Sequence, residues 1–496
     1  MKSKKVVVIG AGVGGLTAAC LMARQGHDVL VLERNGAVGG KLNEWTEGGF
    51  RFDTGPSLLT MPWVLDKLFE YCGRNRLDYL NLHPLDSLCT YYFADGTRFI
   101  SYQDRDRAIE QVRDIAPSDP QNYLDFLDYS ARLYALTSET FIYHPLRQWT
   151  DLFRLPLADV LKIDAFKTVS QRVDASFDSD YIRQFFKRFA TYNGSSPYLS
   201  PATLNVIPHV ELNTGGYYVR GGMYSIVKAL QKISSEMGVC YQFDTHVEQI
   251  RVEKGVANGV VTDRGIVEAD IVISNSDAYE TYLKLLKPND VSKVTRAITK
   301  HTEPSCSGFV LLLGTNKSWG QLDHHTIFFS KDYKNEFDDI FSRAVLPFDP
   351  TIYVANTSST DAQHAIVGGS NLFVLVNAPY VRDTCDPDYK QYADHVIEQL
   401  EVRGLEGLRD SIQVQNMISP RDFYEKYRSN RGSIYGTSSN SKFAAFLRPR
   451  NRSNTIKNLW LTGGSTHPGG GIPLCMISAF HACGVEIGDI PDQSLK

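Results

Sequence analysis

The chain has 496 residues, with 52 lysines and arginines against 56 aspartates and glutamates and a formal charge of −4, a balance that offers nucleic acid no strong attraction. Hydrophobic side chains make up 43% and charged ones 22%, which excludes a disordered chain and provides for a large buried core. Eight cysteines without a C-x-x-C pair argue against zinc ribbons and redox dithiols, so no metal site is expected, and no run of about 18 apolar residues is present to cross a bilayer. The basic start at Lys2, Lys4 and Lys5 runs into an apolar strand and then glycine, not into a cleavage site; a cytoplasmic protein with reduced thiols is expected.

The first predicted element is a strand over residues 5–9, KVVVI, whose β-branched run is that of a strand buried on both faces. It enters Gly10-Ala-Gly12-Val-Gly14-Gly15, after which Leu16, Ala19, Cys20 and Ala23 recur at helical spacing until Gly26. Val29 to Leu32 forms a second strand, closed by Glu33, whose carboxylate can accept hydrogen bonds from a ribose. In such a unit Gly10 makes the tight turn, Gly12 admits a pyrophosphate to the backbone, and Gly15 lets helix and strand pack closely. The helix N-terminus then stabilises the phosphate charge.

Further along, residues 107–190 are predicted mainly helical, with Tyr123, Phe126, Tyr129, Leu133 and Tyr134 on one core-facing side. A helix over 222–238 precedes strands at 247–252, 259–262 and 269–274, the last running into Asn275-Ser-Asp277 at the carboxyl edge of a sheet. Strands at 308–313, 327–329 and 371–376 belong to a separate sheet, followed by a helix over 389–402. The loop 430–453 carries Arg448, Arg450 and Arg452, which could contact phosphate, although a solvated basic loop is expected about twice as readily. Near the end, a strand at 459–462 leads through a glycine-rich loop into a helix that has Pro473 in its first turn. The fold class is therefore α/β, a Rossmann-type nucleotide domain assembled from 1–90, 235–290 and 455–496. A helical lid and substrate region follows over 91–234, and a mixed-sheet substrate region over 291–454.

Three features carry a family resemblance: Gly39-Gly40-Lys41 after the acidic strand, Gly221-Gly222-Met223 ahead of a helix, and Gly463-Gly464-Ser-Thr-His-Pro-Gly469-Gly470-Gly471-Ile472-Pro473 near the end. With them the chain resembles the flavin amine oxidase superfamily and, within it, the bacterial and fungal type of carotenoid desaturase related to phytoene desaturases. The run from Arg188 to Pro197, Pro201 to Leu204, and His209 to Glu211 looks more like the 1-hydroxycarotenoid 3,4-desaturases. The resemblance implies FAD as cofactor, held by Gly10, Gly12, Gly14, Gly15, Glu33, Arg34, Gly40, Lys41, Gly55, Ser57, Leu58, Val247, Asn275, Gly464, Gly471, Ile472 and Pro473.

It implies oxidation of a C–C single bond of a hydrophobic carotenoid, a hydride passing to flavin N5 while the neighbouring carbon loses a proton. The expected reaction is 3,4-desaturation of a 1-hydroxylated or monocyclic carotenoid; desaturation of phytoene or another acyclic carotene and carotenoid isomerisation are the alternatives. Asp151 and Arg154 match a D-x-x-R pattern and are the catalytic candidates, although an i,i+3 surface ion pair explains them equally well. Glu139, His144, His209 and Glu211 are weaker candidates, and His467 is expected to brace its loop. The basic and apolar mixture of residues 146–173 suits either peripheral contact with the cytoplasmic membrane face or a lid over the substrate. The oligomeric state is left open.

Overall fold

The structure, a computed structural model, describes residues 2–145, 163–164, 166–382, 386–441 and 448–488. Asp151, Arg154 and residues 146–162 of the amphipathic stretch lie outside the described residues.

The apolar run β1 (Lys5–Ile9) is buried from Val6 onward. It lies parallel between β2 (Asp28–Leu32) and Ile271–Ser274, in registers that set Val8 opposite both Val31 and Ile273. Leu459–Leu461 and Cys240–Gln242 add the two edges, so five parallel strands from widely separated segments make one sheet. One face is covered by α1 (Val13–Arg24), buried from Val13 to Met22, together with the helices Tyr224–Glu236 and Ile472–Cys483. The opposite face packs on an antiparallel sheet of Val247–Glu253, Val256–Thr262 and Gly265–Glu268 through Val7, Val272, Ile250 and Val260. Each fully buried valine, leucine or isoleucine here contributes about 1.5–3 kcal/mol.

A second sheet of seven strands has the order Ile412–Ile418, Ser307–Thr315, Ser370–Ala378, Ile352–Asn356, His325–Phe328, Ser87–Tyr92 and Arg98–Tyr102. Its central strands Ser307–Thr315 and Ser370–Ala378 pair antiparallel through nine residues each. Helix Tyr389–Val402 covers one face through Val396, Ile397 and Leu400. Residues of the other face, among them Val310 and Phe373, line the central cavity. Helices Arg105–Ile115, Pro120–Ser138 and Asp180–Lys187 form an aromatic core in which Phe126 and Phe186 meet at 4.5 Å. Tyr123, Phe126, Tyr129 and Leu133 are buried there as core, and Tyr134 is buried in the core beneath the parallel sheet and its helices. No described helix is long and apolar enough to cross a membrane.

The strands at Ile352–Asn356 and Ile412–Ile418 were not among the expected elements. The expected boundary at residue 90 falls inside Ser87–Tyr92, which pairs with His325–Phe328 of the larger sheet.

Asp53 explains the doublet Gly221-Gly222. Its buried carboxylate accepts the N–H groups of Met223 and Tyr224, each at 3.0 Å, at the start of helix Tyr224–Glu236, and Arg51 Nη2 donates to it at 2.7 Å. The chain reaches it through positive φ at both glycines, and a Cβ on Gly222 would lie 1.8 Å from Arg51 Nη1. Asp53→Ala leaves two helix-end donors without their acceptor and Arg51 with Glu44 alone. It is expected to cost about 1–3 kcal/mol in a denaturant titration; an unchanged midpoint would contradict this reading.

Candidate active site

One cavity of about 640 Å³ runs from the glycine turn after β1 to the inner face of the seven-stranded sheet. The structure places all the nucleotide-site residues expected from the sequence on its wall except Gly15, which stands behind it. There a Cβ would lie 2.1 Å from the Gly10 carbonyl oxygen and 3.2 Å from Asn275 Cβ. Gly10 takes φ +88 and its N–H donates to Leu32 O at 2.8 Å, which turns the chain off the sheet edge. Gly14 has no room for a side chain either, since Asn275 Oδ1 and Gly463 N lie within 2.9 Å of its virtual Cβ. The first helix is thereby pressed against both the Asn275 and Gly463 loops. No side chain caps the N-terminus of α1 and its first turn carries no acid, so its amide groups face the cavity free for an anion.

Glu33, at the end of β2, accepts the Ala11 N–H at 2.8 Å and the Asn35 N–H and Nδ2 at 2.9 Å each. These bonds hold its carboxylate at the mouth of the nucleotide cleft. Arg34 Nη1 and Thr54 Oγ1 are buried without a hydrogen-bond partner among the described residues, and both residues line the cavity. Lys41 donates through Nζ to Ile434 O at 2.9 Å and Ser433 O at 3.2 Å; burial lowers its pKa and the charge of Asp277 opposes that shift. Gly55, whose virtual Cβ would be 2.1 Å from Lys41 O, brings Ser57 and Leu58 to the same wall. Val247 and Asn275 reach it from the antiparallel sheet and the parallel sheet edge.

On the far side of the chain, Gly471 with φ +107 opens helix Ile472–Cys483, whose first turn contains Pro473 and has no side-chain cap. A second uncapped helix end thus meets the cavity. The loop before it is braced by Arg448, itself on the cavity wall. Arg448 donates to Gly464 O at 2.9 Å and Thr437 O at 3.1 Å, and burial pushes its pKa down to about 10. Arg448 is therefore a buried strut and not part of a solvated basic segment. His467 donates from Nε2 to His144 O at 3.0 Å and stacks on His481 at 5.4 Å between ring centres. Burial pushes it down to about 3, so it is neutral and acts as a brace. The glycine cradles, two uncapped helix ends and unpartnered donors fit a flavin nucleotide.

The weaker acid–base candidates separate. Glu139 and His144 are exposed partners of each other at 3.4 Å and do not line the cavity. His209 bonds Asn213 Nδ2 at 2.9 Å and is pushed down to about 4 by burial, a structural ring away from the lining. Glu211 does line it, paired with Arg188 at 2.9 Å and accepting the Tyr192 hydroxyl. Sequence reasoning missed His325 and Tyr353, whose signal was a pair of adjacent histidines opening a short apolar run. His325 Nδ1 lies 2.7 Å from Tyr353 Oη, which in turn bonds Ser57 Oγ, and all three face the cavity. Burial pushes the His325 imidazole well below its usual range, so it is neutral.

Behind the same wall Glu336 is buried, bonded to Ser330 Oγ and Thr351 Oγ1 at 2.7 Å each, and burial raises its pKa from 4.5 to about 7. The folded protein therefore keeps a proton that the unfolded chain releases. This contribution to stability is fully present below pH 4.5 and is lost as the pH rises through about 7. Glu336→Gln is expected to flatten that part of the stability profile in melts between about pH 5 and 8, and an unaltered slope would contradict the assignment.

Comparison with known proteins accords with this geometry. A family model described as flavin containing amine oxidoreductase matches residues 13–485. The chain is 34% identical over 481 residues, 96% of each sequence, to a 4,4'-diaponeurosporene oxygenase of Staphylococcus aureus. Among solved structures it is similar to cyclohexylamine oxidase from Brevibacterium oxydans, with a TM-score of 0.62 at 16% identity over 97% of this chain and 98% of that one. It is likewise similar to a CLA-producing fatty acid isomerase from P. acnes, with a TM-score of 0.62 at 12% identity over 97% of both chains. At these identities the structural likeness speaks for the fold alone.

Proposed function

The chain belongs to the flavin-containing amine oxidoreductase family, and from that premise we propose that it is an FAD-dependent oxidoreductase acting on carotenoids. The observation that carries this reading is the continuity of one cavity, which begins at a dinucleotide turn and ends among apolar residues of the large sheet such as Val310, Ile327 and Phe373. Bound FAD supplies a two-electron acceptor. Glu33 and the amides of α1 would hold its ribose and pyrophosphate end, and the uncapped start of helix Ile472–Cys483 would favour negative charge at the other. Apolar walls exclude water and fix the position of a chain that offers few polar handles.

The finer reading is 3,4-desaturation of a 1-hydroxylated or monocyclic carotenoid. A second reading, oxygenation of a diaponeurosporene-like carotenoid, is favoured by the 34% identity to an oxygenase of that name. Product mass separates them, since desaturation removes two hydrogens and oxygenation adds oxygen. The test mixes FAD-loaded protein with acyclic and hydroxylated carotenoids in liposomes and follows absorption and product mass. Loss of two hydrogens with a red shift supports desaturation, gain of oxygen supports the second reading, and unchanged substrate overturns both. The protein is further proposed to work in the cytoplasm at the membrane face where such substrates dissolve; failure to float with liposomes would overturn that attachment.

A further inference from the structure

A hydrocarbon needs only an apolar chamber, yet two polar clusters are set into this wall. Arg188 is 7% and Glu211 2% exposed, and their ion pair is bonded further to Tyr192. Arg188 Nη1 also lies 3.5 Å from Tyr192 Oη, and its guanidinium stacks on Phe189 at 4.4 Å. His325, 2% exposed, is held through Nδ1 by Tyr353. All of these except Phe189 line the cavity. Among the described residues, Arg188 Nε and His325 Nε2 have no hydrogen-bond partner. A buried ion pair is at best neutral against apolar packing, and each buried unpaired polar atom adds a further cost. A chamber shaped only for hydrocarbon would carry neither.

We propose that Arg188, Tyr192, Glu211 and His325 form a docking site for one oxygen substituent, a hydroxyl or carbonyl, on an otherwise apolar substrate. This rests on the carotenoid reading above and narrows it to oxygen-bearing carotenoids. A hydroxyl matches the cluster in both directions: it can accept from Arg188 and donate to Glu211 or an imidazole nitrogen. With Nδ1 engaged by Tyr353, Nε2 is the imidazole atom left for the ligand. A carbonyl accepts only and would use the guanidinium, whose Nε is without a partner among the described residues. The long apolar chain supplies most of the contact area, and the oxygen fixes its register along the cavity.

The experiment titrates FAD-loaded protein, with its flavin held reduced to prevent turnover, with an acyclic carotene and with the same chain carrying a terminal hydroxyl. Both are presented in detergent micelles, and binding is read from quenching of tryptophan fluorescence. The hydroxylated chain is expected to bind roughly 10- to 100-fold more tightly. Tyr192→Phe removes the hydroxyl that holds Glu211 and whose oxygen can accept from the ligand, and His325→Asn keeps an amide near the place of Nδ1 while removing Nε2; each is expected to bring the ratio of Kd values towards one. Equal affinities in the wild type would overturn the docking site and leave the carotenoid reading standing. Variants that weaken both ligands by the same factor would reduce the cluster to a structural role, and binding of neither ligand would overturn both the docking site and the carotenoid reading.

Discussion

Gly15→Ala is expected to yield protein purified without its flavin. The new methyl carbon would lie 2.1 Å from the Gly10 carbonyl oxygen and 3.2 Å from Asn275 Cβ. Neither obstacle can step aside: the Gly10 N–H is bonded to Leu32 O at 2.8 Å and the Asn275 N–H to Ile9 O at 2.9 Å, both within the parallel sheet edge. Helix α1 must therefore move away from β1, and its open N-terminal amides leave the place where the pyrophosphate would sit. Overpacking of this kind costs about 1–3 kcal/mol or more, which weakens flavin binding by roughly 10- to 100-fold at least. The ratio of flavin to protein absorbance after purification measures it. Gly26→Ala is the control, because nothing lies within 4 Å of its virtual Cβ, so only the strain of φ +84 is added, at about 1–2 kcal/mol. A Gly15→Ala protein with full flavin content would contradict the packing argument.

Arg188→Met and Glu211→Leu are each expected to destabilise the protein by about 3–5 kcal/mol, because each leaves its partner as an unpaired charge in a site nearly closed to solvent. The double variant is expected to recover most of this loss, since apolar groups of similar size replace both charges. Chemical denaturation of the flavin-loaded proteins reads the cycle. Additive losses in the double variant would mean that Arg188 is held chiefly by its aromatic neighbours Phe189, Tyr91 and Tyr192 and not by Glu211.

The nucleotide end of the cavity was legible because its requirements are local. Gly10, Gly12 and Gly15 act within a few residues of a strand and a helix whose apolar periods are plain, and Glu33 follows at the next strand end. Asn275 could be placed for the same reason, at the end of the fully buried strand Ile271–Ser274. The substrate end is built by pairing over long distances. His325 faces Ala355 across an antiparallel ladder, which brings Tyr353 beside it, and Ser57 joins them from a chain segment 296 residues away from Tyr353. No spacing in the sequence announces that meeting. Glu211 was visible as a candidate, but its partner was not, because the pairing joins two separate short helical segments, Arg188–Asn193 and His209–Asn213. Ile412–Ile418 escaped notice because the alternation of this edge strand, IQVQNMI, breaks at Asn416 and leaves no continuous apolar run.

The most direct test of the account is a single turnover without oxygen. FAD-loaded protein is mixed anaerobically with one equivalent of a hydroxylated acyclic carotenoid, and the product is weighed by mass spectrometry. The account predicts a carotenoid lacking two hydrogens, at no more than one equivalent per flavin, and none from Gly15→Ala protein. Unchanged carotenoid in the presence of fully loaded flavin, or equal product from flavin-free protein, would contradict it.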